Sequence, residues 1–461
     1  MDFGTTNIKT AIVDLDTGIF SYLHTWPPAT NISDVPHHCE FSPRQLHETF
    51  LSICGFYARR LRVRFEAIAF CSEQNGFMAL NEQNEPVTNY VSWKDERSLE
   101  PLHDKDTYSL IMDTLGDDFM RITGWRPGPG LPLFNAAHLA RQSLLPDRCK
   151  IASLPEWLAM ACDDPVECGH DTMLHGSGLY DVRAKTVSQE IVERVRKLCG
   201  VTFTLNRRAM TGEVCGYWRC GNRRIPVHAG IGDHQCAVLG AGNLPGETLS
   251  INLGTGSQAA VISPRTQPDE CEWRPYFDDR LLAAITRIPG GRALAGYLSF
   301  LEDVCREATG RNVTFWEMAG CLAEDDILNA TLKVEPGIFS SAWRYRGGGS
   351  IKGISEGSFT LRTYLAGLLK SFAQQYVDAA RLLDPDNSIR LCILSGGLAR
   401  RMPVVGKTIA ALGQYEVIPA TAIDESLLGL RTTMLVAAGY AATCSEARNI
   451  YGRECRAADA E

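Results

Sequence analysis

Two common nucleotide-binding signatures are missing from this chain. It contains no GxxxxGK[ST] phosphate loop and no GxGxxG after a strand, so the P-loop and Rossmann routes to a nucleotide lack their motifs. It also lacks a CxxC pair. Its sixteen cysteines are scattered, Cys215 and Cys220 have no second pair nearby, and a structural zinc site is not expected. No apolar run approaches the length of a bilayer span, and the start Met1-Asp2-Phe3-Gly4 has neither the basic flank nor the apolar core of an export signal. A cytoplasmic chain with reduced, mostly buried thiols is therefore expected. An excess of positive charge is absent too. The formal net charge is -8, which argues against nucleic acid as the main partner. The basic run Arg59-Arg60-Leu61-Arg62-Val63-Arg64 reads as a solvated helix face.

What is present fits a globular enzyme-sized chain. Its 461 residues exceed one ordinary core and suit two α/β domains, divided here as 1–242 and 243–461. Apolar residues make up 45 % and charged residues 22 %, so general disorder is not expected.

The most informative segment opens the sequence. Asp2-Phe3-Gly4-Thr5-Thr6-Asn7 precedes the β-rich run Ile8–Asp14, a turn at Asp16-Thr17-Gly18, and a second strand from Ile19. Glycine at such a turn lets the backbone approach a bulky anion, while the amides and the Thr5 and Thr6 hydroxyls can donate to phosphate oxygens. The adjacent Asp2 can hold Mg²⁺, a hard cation that takes carboxylate, water and phosphate oxygen.

The second half carries a copy. Thr248–Leu253 reads as a strand, Gly254-Thr255-Gly256-Ser257 as a turn, and Gln258–Ser263 as the returning strand. One Gly-Thr hairpin is usually only structural. Two copies, each heading one half, suggest related domains that each give a loop to one polyphosphate. Near the C-terminus, Ile389–Leu394 reads as a buried strand followed by Ser395-Gly396-Gly397 and a helix. That turn suits an adenosine lying against backbone, or is a plain strand–helix connection.

Asp233, in Gly230-Ile231-Gly232-Asp233-His234-Gln235, has two compatible readings. It is a helix N-cap, or the acceptor for a hydroxyl proton in phosphoryl transfer, a reaction that otherwise needs placement and charge neutralisation.

Together these segments resemble the FGGY carbohydrate kinases. Asp2–Thr6 is similar to their first phosphate motif, Trp93-Lys94-Asp95-Glu96-Arg97 to their W-x-D-x-R segment, and Thr123-Gly124 and Leu154–Leu158 to first-domain landmarks. Gly232-Asp233 is similar to the catalytic aspartate motif, Gly254–Ser257 to the second phosphate loop, and Gly396-Gly397 to the adenosine site. Within the family the nearest likeness is to sedoheptulokinases, on Gly232–Cys236, Asn252–Gln258, Arg274-Pro275-Tyr276-Phe277 and Gly290–Leu294.

The resemblance implies two ribonuclease H-like (actin-like ATPase) domains with a central interdomain cleft. It implies ATP and Mg²⁺ as cofactors, Asp233 as base, and metal held by Asp2 and Asp233. The nucleotide falls to Gly4, Thr5, Thr6, Gly254, Thr255, Gly256, Ser257, Gly396 and Gly397. A sugar or polyol, such as a heptulose or pentulose, falls to Glu73, Gln74, Asn75, Trp93, Arg97, His234 and Gln235. Trp93 packs on the sugar or sits in the core. Glu73 meets the sugar or packs locally. The protein is expected to be a monomer or homodimer. A regulatory, non-catalytic nucleotide-binding protein is the alternative.

Three departures stand out. Ser72-Glu73-Gln74-Asn75-Gly76 replaces the G-Q-M-H-G of many relatives, which points to a different hydroxyl pattern. The loop around Arg344-Tyr345-Arg346-Gly347-Gly348-Gly349 is shortened. Relatives have an apolar strand before the first aspartate, so a gap in the first sheet beside its phosphate turn is expected here.

Overall fold

The computed structural model describes residues 1–451 apart from 62, 255, 264–270, 340–341, 345–347 and 420–423. Thr255 of the second phosphate turn and Tyr345, Arg346 and Gly347 of the shortened loop lie outside the described residues. The chain divides into two compact units. Unit 1 is Met1–Gly242, Trp273–Leu281 and Thr421–Glu461, and unit 2 is Asn243–Glu272 and Leu282–Ala420. A single cut after residue 242 thus leaves two later segments that cluster with the first unit.

The heart of unit 1 is a five-stranded sheet. Its strands are β1 (Asp2–Phe3), β2 (Ile8–Val13), β3 (Phe20–Trp26), β4 (Cys71–Ser72) and β5 (Ile231–Gly232), in the order β5-β4-β1-β2-β3. β1, β2 and β3 pair antiparallel, while β1, β4 and β5 run parallel. The expected gap does not occur. Two residues suffice for β1, because Asp2 and Phe3 pair on both sides, with Lys9 and Ile8 in β2 and with Cys71 and Ser72 in β4.

Helix α1 (Pro43–Arg60) covers this sheet. Ser42 caps it by accepting from the Gln45 amide, and Pro43 fills the first turn, where no donor is needed. Leu46, Phe50, Ile53, Cys54 and Tyr57 recur at helical spacing and are buried with Phe3, Ile8 and Phe70. A second cluster around Phe77, Phe119, Phe134 and Phe203 forms a separate core in the same unit.

Unit 2 repeats the plan. Five of the six strands of its sheet, β6 (Thr248–Asn252), β7 (Gly256–Ser263), β8 (Leu281–Pro289), β9 (Leu391–Ser395) and β10 (Glu416–Pro419), take the order β8-β7-β6-β9-β10. β6 pairs antiparallel with β7 and parallel with β9, which is parallel to β10. The central strands are buried on both faces, as in parallel sheets covered by helices.

Cys168 and Cys215 depart from the expectation of thiols throughout. They are paired as a disulfide, their strands bringing the Cα atoms to 6.4 Å, within bridging range. No other disulfide is formed among the described residues. Among the described residues no helix is long and apolar enough to cross a membrane.

Candidate active site

The carboxylates of unit 1 sit where parallel strands end. Asp2 lies on β1 and is buried. Asp233 follows β5 directly as the first residue of helix α2 (Asp233–Gly240). The N-cap is Gly232, so Asp233 is not the capping residue, although its Oδ1 accepts from the His234 amide at 2.6 Å. Strand pairing of β1 and β5 with β4 gathers Asp2, Asp233 and Glu73, the residue just after β4.

This crowding has an electrostatic consequence. Burial, then the nearby Asp2 and Glu73 charges, push the Asp233 carboxyl up to about 7, against the His234 amide and the Arg274 charge. Burial and then Asp424 push Asp2 up to about 6, against Lys9 and the Cys71 thiol. Lys9 bridges the group, 2.5 Å from Asp424 and 4.0 Å from Asp2. Neighbouring carboxylates raised by burial first and by nearby negative charge second fit a divalent cation, which would favour their ionised form.

The Gly4-Thr5-Thr6 turn joins β1 to β2. Thr6 is exposed and Gly4 and Thr5 are half-buried. Glu73 spends its carboxylate on local partners, accepting from Thr5 Oγ1 at 2.7 Å, Tyr90 OH at 3.0 Å and Ser92 Oγ at 3.1 Å. It anchors the turn. Trp93 is not a core residue. It is 45 % exposed, with its indole N–H 3.5 Å from Thr5 Oγ1.

Arg97 is buried and forked onto Asp95, at 2.8 and 2.7 Å, with Glu40 at 2.5 Å. The W-x-D-x-R segment is in this part a structural knot. Gln74 donates to the Thr172 carbonyl at 2.5 Å. Asn75 adopts a left-handed φ of 66°, and its Oδ1 is buried without a hydrogen-bond partner. Gln235, fully buried, donates to the Pro275 carbonyl at 3.3 Å and leaves its Oε1 likewise unmatched. Such buried acceptors call for donors. Burial, with the Arg274 charge beside it, holds the His234 imidazole far below the usual histidine range.

Unit 2 presents backbone rather than charge. Gly396 has φ 92°, and a Cβ there would sit 2.6 Å from the Leu253 carbonyl, so only glycine fits. The turns interlock, with the Gly291 amide donating to Gly254 and the Leu398 amide to Leu253. A Cβ on Gly256 or Gly397 would meet nothing, which marks open space against bare backbone, suited to a nucleotide. Ser257 is buried beside Tyr376 rather than open to a ligand.

Sequence reasoning missed Lys9, Asp424 and Trp125, and took Arg274 only as part of a motif. No local signal marks Asp424, whose link to Lys9 spans 415 positions.

Comparison with known proteins bears on the fold and the family. A xylulose kinase of Streptomyces coelicolor is 27 % identical over 283 residues, covering 58 % of this chain and 55 % of its own length. The chain thus matches about half the length of that curated relative. Among solved structures, a gluconate kinase from Lactobacillus acidophilus superposes with a TM-score of 0.82 at 16 % identity, covering 97 % of this chain and 90 % of its own. A xylulose kinase from the same organism gives 0.81 at 16 % identity, covering 97 % and 91 %. These likenesses give the fold, two ribonuclease H-like domains of the actin-like type. Residues 1–240, which hold Asp2, Glu73 and Asp233, match the family model for the N-terminal domain of the FGGY family of carbohydrate kinases, and to that family the chain belongs.

Proposed function

We propose that the protein transfers the γ-phosphoryl group of ATP to a hydroxyl of a ketose or polyol, a heptulose or pentulose being the first class to test. Asp233 is the base. The observation that carries this reading is its carboxyl, half-buried at the start of α2 and pushed up to about 7, which suits proton acceptance near neutral pH. Asp2 and Asp233 would hold Mg²⁺, whose charge offsets that developing on the transferred group. Gly254, Gly256, Gly396 and Gly397 hold the nucleotide in unit 2, and Gly4, Thr5 and Thr6 offer phosphate donors in unit 1.

In unit 1, Asn75 Oδ1 and Gln235 Oε1 accept from substrate hydroxyls, and the exposed Trp93 offers an apolar face to a sugar ring. Glu73 and Arg97 act indirectly, through the Thr5 turn and the segment beside it. Coupled ADP release measured over a panel of ketoses, polyols and sugar acids tests the reading. Turnover with at least one ketose or polyol is expected, and Asp233→Asn should lower it by roughly 10² to 10⁴ while ATP binding persists. Full turnover in that variant would remove Asp233 as base.

A further inference from the structure

Arg274 stands forty positions after His234 in sequence, yet its Nη1 lies 3.0 Å from His234 Nδ1 and 3.4 Å from Gln74 Oε1. Its guanidinium carbon sits 4.1 Å above the Trp125 ring, and the residue is buried. Arginine has donors and no acceptor, so His234 Nδ1 accepts from it and carries no proton. A neutral imidazole then keeps its one proton on Nε2. Among the described residues nothing hydrogen-bonds that nitrogen, although His234 adjoins Asp233 and is itself buried.

We infer that Arg274 is a positioning residue for substrate recognition. By donating to Nδ1 it fixes the His234 ring so that its Nε2–H donates to an oxygen lone pair of the bound substrate. Asn75 and Gln235 offer acceptors, so the fixed donor completes the set. A ligand with both hydroxyl hydrogens to give and a carbonyl or hydroxyl oxygen to receive is matched, which is the chemistry of a ketose. The stacked Trp125 ring and Gln74 hold the guanidinium plane, so the orientation passes from Arg274 to His234 rather than the reverse. This inference rests on the proposed site but makes a separate claim about it.

Long-range ¹⁵N–¹H spectra of the full chain, with His234 assigned by its loss in His234→Gln, read the tautomer without substrate. The wild type and Arg274→Lys, which keeps a donor, should show the Nε2–H form. Arg274→Met should show a mixture. Kinetics on the best substrate of the panel follow. Arg274→Met and His234→Leu should each lower kcat/KM about tenfold, the size of one hydrogen bond, mostly through KM. His234→Gln, whose amide nitrogen falls near Nε2, should recover most of the loss. The double variant Arg274→Met, His234→Leu should be no worse than either single one. An unchanged tautomer in Arg274→Met, equal damage from glutamine and leucine at 234, or additive losses overturns the inference. The kinase reading fails by a different sign, an absence of turnover over the whole panel, and the tautomer measurement stands whatever that result.

Discussion

Five strands of each sheet follow one order, and the sheets differ in what they place at the strand ends. In unit 1 the first strand carries Asp2, and Asp233 follows the fifth, both pushed toward neutrality by burial and by other charges. In unit 2 the first strand ends in Asn252, whose amide donates to Ser395 Oγ at 3.1 Å at the end of β9. One copy of the plan concentrates carboxylates and the other is neutral there. A neutral cradle accepts a polyanion without repulsion, whereas a carboxylate pair suits a cation and a proton. The same topology thus presents two electrostatic environments through the side chains at its strand ends.

Exchanging those side chains breaks the comparison most directly. Asp2→Asn makes unit 1 like unit 2 and should cut turnover by roughly 10²-fold or more, since a metal's charge is worth several kcal/mol in such reactions. The reverse change, Asn252→Asp, should leave the carboxylate pair intact and weaken ATP binding by calorimetry. Equal effects of both on nucleotide affinity would mean that the sheets are not specialised.

Smaller, and opposite in sign, is the effect of Asp233→Asn on stability. A carboxyl whose folded pKa is raised favours the folded state fully below about pH 4 and loses that contribution as pH rises through about 7. In chelator, the asparagine variant should therefore be about as stable as wild type at pH 4. It should become more stable by on the order of a few kcal/mol at pH 8, at about 1.4 kcal/mol per pKa unit. Urea titrations at the two pH values read this. No corresponding gain is expected at Asn252, which has no charge to remove.

The turn glycines sharpen the comparison further. Gly396→Ala should cost roughly 1–3 kcal/mol in thermal unfolding, because its φ is 92° and the Leu253 carbonyl lies in the way. Gly4→Ala should cost less. Its φ is ordinary, and its nearest obstacle, the Asn7 carbonyl, lies at 3.0 Å. The smallest effect belongs to Trp93→Ala, an exposed site where stability should move by roughly 0.5 kcal/mol or less while KM for the sugar rises.

Much of the plan was legible in the residues. Gly4-Thr5-Thr6 and Gly254–Ser257 each sit between two strand-like runs, and the pattern of a strand, a glycine turn and a returning strand depends only on neighbours in sequence. Asp233 after a glycine and before an apolar helical run could be singled out in the same way. The gap expected beside the first phosphate turn was not borne out, since pairing on both sides lets a two-residue strand stand, and that is a property of the sheet.

Local pattern therefore determined the strand–turn–strand hairpins, the choice of Asp233 as candidate and the repeat of one hairpin in each half, since all three follow from short-range propensity and turn chemistry. Only the tertiary structure decided that Glu73 and Arg97 are tied to protein partners, that Trp93 is exposed, and that Lys9 meets Asp424 and Arg274 meets His234. Those outcomes depend on which distant charges and hydrogen-bonding groups folding brings within a few ångströms, and no spacing along the chain encodes that.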